Sequence, residues 1–291
     1  MCSSDLIIHR SVLRDWYEPD GHDSLQMDGR QNGDRLSSVK QSVNLELQLR
    51  QLLLPKLGQE VSECEDVIAV DTDKCRFAVA DGATEAFDAR KWAERLAQQW
   101  VRRESTLTSE EFRNWVAAEG RELQDSWNGL NLSWYAETKA RTGSFAAFVG
   151  VELDLKSELP SWKAIALGDA CLLHRRGNVL VKSLPLARSE SFNNAPILVA
   201  SNSALHESSM KSVVIDSGNC ESGDVLLLMS DAVASWYLQC FENDDLVIEN
   251  CFFTRPDNEL IEFFDEERLA GRIRNDDLAI VRIEIKERSM G

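Results

Sequence analysis

The amino-acid sequence predicts an α+β fold, in which β-sheets and helices form separate layers. Two observations lead to this prediction. Many short apolar runs, some of them alternating with polar residues, follow one another with only turn residues between them. Segments with helical periodicity are grouped between these runs and do not alternate with them one by one, which argues against βαβ units.

The chain begins with a segment that cannot contribute to a core. Between residues 18 and 35 only Leu25 and Met27 are apolar, among many Gly, Asp, Asn and Gln residues. We therefore predict that residues 1–40 form a poorly structured N-terminal arm. Residues 41–291 are predicted to form a single domain.

The first half of this domain is predicted to contain a strand, a hairpin and two helices. Apolar residues alternate in part with polar ones over residues 42–54, and the apolar runs 67–70 and 77–80 flank a polar turn. Over residues 85–103 the apolar side chains recur at the spacing of one buried helical stripe. A capping-box sequence predicts that a second helix starts at Thr108.

The second half is predicted to contain mostly strands. The strand-like runs are 145–153, 162–167, 171–174, 179–181 and 225–229. A third helix is expected to follow Pro256 and Asp257 and to end at Leu269, and the last run, 278–285, is typical of a sheet strand. The segment 184–219, rich in Ser and Asn, is interpreted as a surface loop.

Composition and charge limit the classes of partner. Of the 291 residues 43% are hydrophobic, which is typical of a globular protein with a substantial core. The 49 acidic and 32 basic residues give a net charge of −17, so we expect neither nucleic acid nor an anionic membrane as a partner. The sequence has no apolar run of about 18 residues and no evident secretory signal. The seven cysteines show no C-x-x-C spacing, which fits reduced thiols and a cytoplasmic location.

Carboxylates recur where apolar strands end or begin. The positions are Glu65-Asp66, Asp81-Gly82, Gly168-Asp169, Ser230-Asp231 and Asp276-Asp277. Asp and Gly are common turn residues, which accounts for any one of these positions. As a set, however, converging acids would repel one another unless a cation neutralised them. Oxygen ligands without His or Cys select hard cations, so the set predicts a site for Mg²⁺ or Mn²⁺.

Four of these segments resemble motifs of one family, the metal-dependent protein serine/threonine phosphatases of type 2C. Residues 76–82 (RFAVADG) resemble its first aspartate motif. Residues 164–170, 225–232 and 275–280 are similar to its Gly-Asp, Ser-Asp-Gly and closing Asp-Asn motifs, in the same order. The chain thus resembles a divergent, bacterial-like member. The resemblance implies a sandwich of two antiparallel β-sheets flanked by helices. It also implies hydrolysis of phosphoserine or phosphothreonine by a water that bridges two Mg²⁺ or Mn²⁺ ions.

The resemblance also implies roles for individual residues. Asp81 would bridge the two ions, Asp66 would contact the metals directly or through water, and both residues would be catalytic. The carbonyl of Gly82 would bind one ion, and Asp231 and Asp276 would bind the other. Further candidate ligands are Glu65, Asp169 and Asp277. The implied partners are a phosphorylated protein and a cognate Ser/Thr kinase system.

The chain departs from the family pattern at several positions. Val61 stands where an Arg often binds the substrate phosphate, and Lys56 is the nearest upstream cation that could replace it. Ala83 and Ser235 stand where the family often has a His and an Asp of a third metal site. These departures leave an alternative open, a non-catalytic module that binds a phosphoprotein or a kinase.

A second alternative is a phosphatase of the haloacid-dehalogenase type. Asp71 and Asp73 follow an apolar run with the D-x-D spacing that such enzymes use to form an aspartyl phosphate. The next apolar run begins only a short turn later, at Arg76. We therefore expect Asp71 to lie in a hairpin turn, where Asp is a common residue, and to have no catalytic role.

Overall fold

Two antiparallel β-sheets flanked by helices make up the computed structural model, which describes residues 45–104, 108–193, 195–245 and 255–288. This confirms the predicted α+β fold and the implied sandwich. The predicted N-terminal arm lies outside the described residues. In chain order the elements are β1 (Leu45–Leu54), β2 (Asp66–Asp71), β3 (Arg76–Gly82), α1 (Ala89–Arg102), α2 (Ser109–Ser126), α3 (Trp134–Thr142), β4 (Phe145–Asp154), β5 (Ser161–Leu167), β6 (Cys171–Arg176), β7 (Val179–Leu184), β8 (Val199–Ala200), α4 (His206–Ser209), β9 (Val214–Asn219), β10 (Asp224–Met229), α5 (Asp231–Glu242), α6 (Asp257–Leu269) and β11 (Leu278–Glu287).

The two sheets pack face to face on a shared apolar core. The first sheet has the strand order β1-β11-β10-β6-β7, and the second has the order β2-β3-β4-β5-β9, with β8 paired to β4. Successive side chains of a strand point to opposite faces. Phe77 and Val79 of β3 therefore pack between the sheets with Leu226, while Ala78 and Ala80 face the helices. Because both faces of β3 are buried at its centre, residues 77–80 form an uninterrupted apolar run.

Helices cover the outer faces of both sheets. α1 packs on the second sheet with a stripe that includes Trp92, Leu96 and Trp100, as predicted from its periodicity. The predicted capping box is confirmed, because the Thr108 side chain accepts a hydrogen bond from the backbone N–H of Glu111. α5 and α6 pack on the first sheet. Across the described residues, no helix is both long enough and apolar enough to cross a bilayer.

The hairpin formed by β2 and β3 is confirmed, together with the position of Asp71 in it. The two strands pair antiparallel, with Asp71 opposite Arg76. Asp71 Oδ1 accepts the backbone N–H of Lys74 at 2.9 Å, which is the contact of a turn residue. The D-x-D sequence is therefore explained by the turn.

Some sequence predictions were wrong. The helix predicted over residues 85–103 begins at Ala89, because Asp88 has a left-handed backbone (φ +56°) that a right-handed helix excludes. The segment 184–219 is more than a surface loop, since it contains β8, α4 and β9. Neither α3 nor α5 was predicted. Most residues of α5 are apolar and half of them are buried, so it lacks the amphipathic stripe that marks a surface helix.

Candidate metal centre

Acidic side chains from both sheets meet at one end of the sandwich. Asp66 begins β2 and lies opposite Asp81 in the β2–β3 ladder of the second sheet. Asp231 begins α5, with one residue between it and the end of β10, and Asp277 directly precedes β11. Both of these strands belong to the first sheet. Asp169 lies in the turn that leads from β5 in one sheet to β6 in the other. Packing of the sheets thus collects acids that are far apart along the chain.

Three of these residues form what we call the acidic cluster, namely Asp81, Asp169 and Asp231. Each offers a carboxylate oxygen, and these oxygens lie within 4.8 Å of one another. Asp169 is buried, whereas Asp81 and Asp231 are partly accessible, so the cluster can be reached from solvent. An all-oxygen set of this kind suits Mg²⁺ or Mn²⁺. The structure therefore brings together three of the side chains that the strand ends predicted as ligands.

Asp66 adds a fourth carboxylate that the fold leaves incompletely paired. Its side chain is 3% exposed, and within the described residues its Oδ2 has no hydrogen-bond partner. The hydroxyl of Ser230 bonds to the Asp66 carboxylate, and the same hydroxyl accepts the backbone N–H of Ala279 at 2.9 Å. Buried carboxylate oxygens are rarely left unpaired, so this atom fits the role of a cation ligand.

Burial and mutual repulsion raise the pKa values of the clustered acids. Burial first, and then the charges of Asp66 and Asp231, hold the pKa of Asp81 well above its usual range. Burial and the charge of Asp231 raise the pKa of Asp169 to about 7. The pKa of Asp66 is also raised well above its usual range, mainly by burial. A bound divalent cation would favour the ionised form of each of these groups.

Two glycines allow the close backbone contacts beside the acidic cluster. A Cβ atom on Gly82 would lie 2.9 Å from the carbonyl carbon of Ala89, at the start of α1. A Cβ atom on Gly168 would lie 2.6 Å from the Cβ of Ala147, and the φ angle of Gly168 is +106°. Neither position accepts a side chain without a backbone shift, so glycine is required at both.

Glu65 lies beside the cluster and is oriented by its neighbours. Its Oε2 accepts a hydrogen bond from the Thr84 hydroxyl at 2.5 Å, and its backbone carbonyl accepts the N–H of Gly82 at 3.2 Å. Burial raises the pKa of Glu65, while the Thr84 hydrogen bond and the charge of Lys56 act in the opposite direction. These contacts connect Glu65 to the loop that follows Asp81.

Asp277 has both of its carboxylate oxygens engaged by backbone amides. Oδ1 accepts the N–H of Lys56 at 2.9 Å, and Oδ2 accepts the N–H of Glu65 at 2.8 Å. The residue is 3% exposed. This geometry makes Asp277 a residue that holds the segment between Lys56 and Glu65 against the start of β11.

Asp276 and Asp231 both pair with basic side chains. The ammonium of Lys56 lies 3.1 Å from Asp276 Oδ1, and its Nζ is also 3.4 Å from the Thr84 hydroxyl. Nη2 of Arg274 lies 2.9 Å from Asp276 Oδ2 and also contacts Asp231 Oδ2. Burial lowers the pKa of Lys56, but the hydrogen bond and charge of Asp276 outweigh it, so that the pKa is raised.

Two arginines at this site were not found from the sequence. Arg274 could have been identified from the sequence, because it lies two residues before the predicted ligand Asp276. Arg268 had none, since its position in α6 is that of an ordinary helical residue. Its buried guanidinium donates to the backbone carbonyls of Leu54, Pro55 and Asp276, at 3.4, 2.9 and 2.8 Å. It thereby ties α6 to the two segments that carry Lys56 and Asp276.

Comparisons with known proteins identify solved structures that have a similar fold. No family model matches the sequence, and no curated protein matches it either. The structure is similar to the catalytic domain of the serine/threonine protein phosphatase PstP in complex with two manganese ions, with a TM-score of 0.56 and 14% identity over 83% of this chain and 99% of that chain. It is also similar to a bacterial serine phosphatase, with a TM-score of 0.52 and 11% identity over 84% of this chain and 100% of that one. The chain therefore has the fold of type 2C phosphatase domains.

Proposed function

We propose that this protein is a phosphatase that hydrolyses phosphoserine or phosphothreonine in proteins and depends on two Mg²⁺ or Mn²⁺ ions. The observation that carries the proposal is the convergence of the acidic cluster, whose oxygens lie within 4.8 Å of one another beside the buried Asp66. The fold shared with the catalytic domain of PstP, whose structure contains two manganese ions, supports it.

In this proposal Asp66 and Asp81 are the catalytic residues. Asp81 would bind both ions, and the carbonyl of Gly82 would bind one of them. Asp231 and Asp276 would bind the other ion. The unpaired, buried Oδ2 of Asp66 supports a role in the same centre, because a cation would complete its coordination. Further candidate ligands are Glu65, Asp169 and Asp277.

These residues would hold two ions, which would supply an acidified water and positive charge for the phosphoryl oxygens. The chain's own contribution is to hold the ligands in place before substrate arrives. The Ser230 hydroxyl orients Asp66, and Asp277 holds the segment that carries Glu65. Arg268 holds the backbone of Asp276.

Substrate binding depends on the basic groups that border the centre. Val61 is exposed and offers no charge, so Lys56 is the proposed phosphate contact on this side. The expected partners are a phosphorylated protein and the kinase system that phosphorylates it, in the cytoplasm. The net charge of −17 argues against nucleic acid and anionic membranes.

A specific observation favours the alternative of a non-catalytic module that binds a phosphoprotein or a kinase. Lys56 and Arg274 already pair with Asp276, and Arg274 also pairs with Asp231. In a module without metal these two cations would be the permanent partners of the acids. The alternative predicts phosphopeptide binding without release of phosphate.

The test is a phosphopeptide release assay on the full chain with Mn²⁺, with Mg²⁺ and with EDTA. We expect phosphate release with one or both ions and none in EDTA. The matched control is Asp71→Asn, which changes the same residue type in a turn away from the centre and should keep native turnover. Full turnover after metal removal would exclude the proposal. Phosphopeptide binding without turnover in either ion would favour the non-catalytic module.

A further inference from the structure

One nitrogen atom lies between two of the proposed metal ligands. Nη2 of Arg274 is 2.9 Å from Asp276 Oδ2 and contacts Asp231 Oδ2 at the same time. These two acids come from different segments, at the start of α5 and just before β11. The guanidinium therefore connects them across the centre.

The position of this nitrogen conflicts with an ion bound by the same two oxygens. Both a guanidinium and a divalent cation neutralise carboxylates, but a single ion between Asp231 Oδ2 and Asp276 Oδ2 would have to displace Nη2. Asp276 keeps a second cation in either case, because Lys56 pairs with its other oxygen, Oδ1. Asp231 is the acid that depends more strongly on Arg274.

Arg274 also has space into which it can withdraw. Its side chain is 52% exposed and borders a cavity of about 170 Å³ beside Asp231. Arg272 borders the same cavity, but its guanidinium is held by both carboxylate oxygens of Glu267, at 2.6 and 2.8 Å. Arg272 is therefore a neighbouring charge of the same type that does not contact the proposed ligands.

We propose that Arg274 is an internal counter-ion of the centre, which holds Asp231 and Asp276 together in the metal-free protein and competes with a divalent ion for them. This inference rests on the proposed function for the assignment of both acids to one ion. Its first consequence is that native Arg274 weakens metal binding. Its second is that Arg274 stabilises the metal-free fold, because it offsets repulsion between acids that burial keeps close.

The experiment measures Mn²⁺ binding, from the electron paramagnetic resonance signal of free Mn²⁺, and the thermal unfolding midpoint in EDTA. Arg274→Gln should bind Mn²⁺ at least about 10-fold more tightly, a difference of about 1.4 kcal/mol. It should also unfold at a lower temperature than the native chain in EDTA. Arg274→Lys keeps the charge but has a single ammonium on a different stem, so it should bind Mn²⁺ with intermediate affinity. Arg272→Gln is the matched control for loss of a nearby positive charge.

Each outcome decides the inference. If Arg274→Gln binds Mn²⁺ no more tightly than Arg272→Gln, the effect is one of general charge and the inference is wrong. Suppose that Arg274→Lys binds Mn²⁺ as tightly as the native chain does, while Arg274→Gln binds it more tightly. This result would likewise overturn a role for the direct contact of the guanidinium with Asp231 and Asp276. Mn²⁺ binding that is equal in all chains rejects this inference alone. Absence of Mn²⁺ binding in every chain rejects the proposed function as well, whereas binding that emerges only in Arg274→Gln supports the inference.

Discussion

Replacement of Asp277 by asparagine would remove one acceptor from a position that needs two. The carboxylate accepts the backbone N–H of Lys56 at 2.9 Å and that of Glu65 at 2.8 Å, through different oxygens. Asparagine offers one carbonyl oxygen and one NH₂ group, which is a donor. In either orientation of the amide, one backbone N–H would lose its acceptor and face another donor.

The expected magnitude follows from burial at this position. Leaving a buried donor unpaired costs about 1–3 kcal/mol, and bonds to a charged acceptor are stronger than neutral ones. One effect opposes this loss, since burial and then the charge of Asp277 raise the pKa values of neighbouring acids such as Asp66. Loss of the Asp277 charge reduces the repulsion among these acids only when no metal ion is bound, because a bound cation already neutralises them. We therefore expect the free energy of unfolding to fall by about 1–3 kcal/mol in Mn²⁺ and by less in EDTA.

Urea denaturation followed by tryptophan fluorescence measures this loss, in Mn²⁺ and in EDTA. The matched control is Asp71→Asn, where the carboxylate accepts a single backbone N–H, from Lys74 at 2.9 Å. The oxygen of asparagine can keep that bond, so the control should stay within about 0.5 kcal/mol of the native chain. The reasoning is refuted if Asp277→Asn is as stable as the native chain in Mn²⁺, or if the control loses as much stability.

Three further predictions concern catalysis, substrate affinity and pH. Asp81→Asn should reduce kcat in the phosphopeptide assay by at least about 10²-fold, a loss of about 2.7 kcal/mol, with the fold retained by circular dichroism; near-native turnover would contradict the proposed centre. Val61→Arg should lower KM for p-nitrophenyl phosphate more than it changes kcat, the pattern of uniform binding. An unchanged KM in that variant, with a sharply raised KM in Lys56→Ala, would show that Lys56 already supplies the phosphate contact. In EDTA the contribution of Asp169 to stability should fall as pH rises from about 4 to above 7, because burial raises the pKa of Asp169 from 3.8 to about 7 and the folded state therefore binds the proton more tightly. The difference in urea midpoint between the native chain and Asp169→Asn across this range measures that contribution, and a difference that does not change with pH would contradict the pKa shift.

The elements that were predicted correctly are those whose own residues show a distinctive local pattern. β3 was found because its apolar run ends at Asp81 and Gly82, and β11 because its run follows Asp276 and Asp277. α2 was found because of the capping box at Thr108. α5 was missed because most of its residues are apolar, so that its sequence shows no regular alternation of apolar and polar faces. β9 was missed because its residues are largely polar and only half-buried on alternate positions. A periodicity argument can recognise an element only where one face differs from the other.

Local sequence patterns predicted the order of every strand except β8 and β9, the turn at Asp71 and the carboxylates that stand at strand ends. These features depend on near neighbours, since turn chemistry and side-chain alternation act over a few residues. Only the tertiary structure decided what each carboxylate contacts. Asp277 holds the backbone of Glu65, 212 positions away, and Arg274 reaches Asp231, 43 positions away. The first contact arises because one sheet packs on the other, and the second because β10 and β11 pair within one sheet. Both depend on which strands become neighbours in the fold, and the spacing of the residues along the chain does not show this.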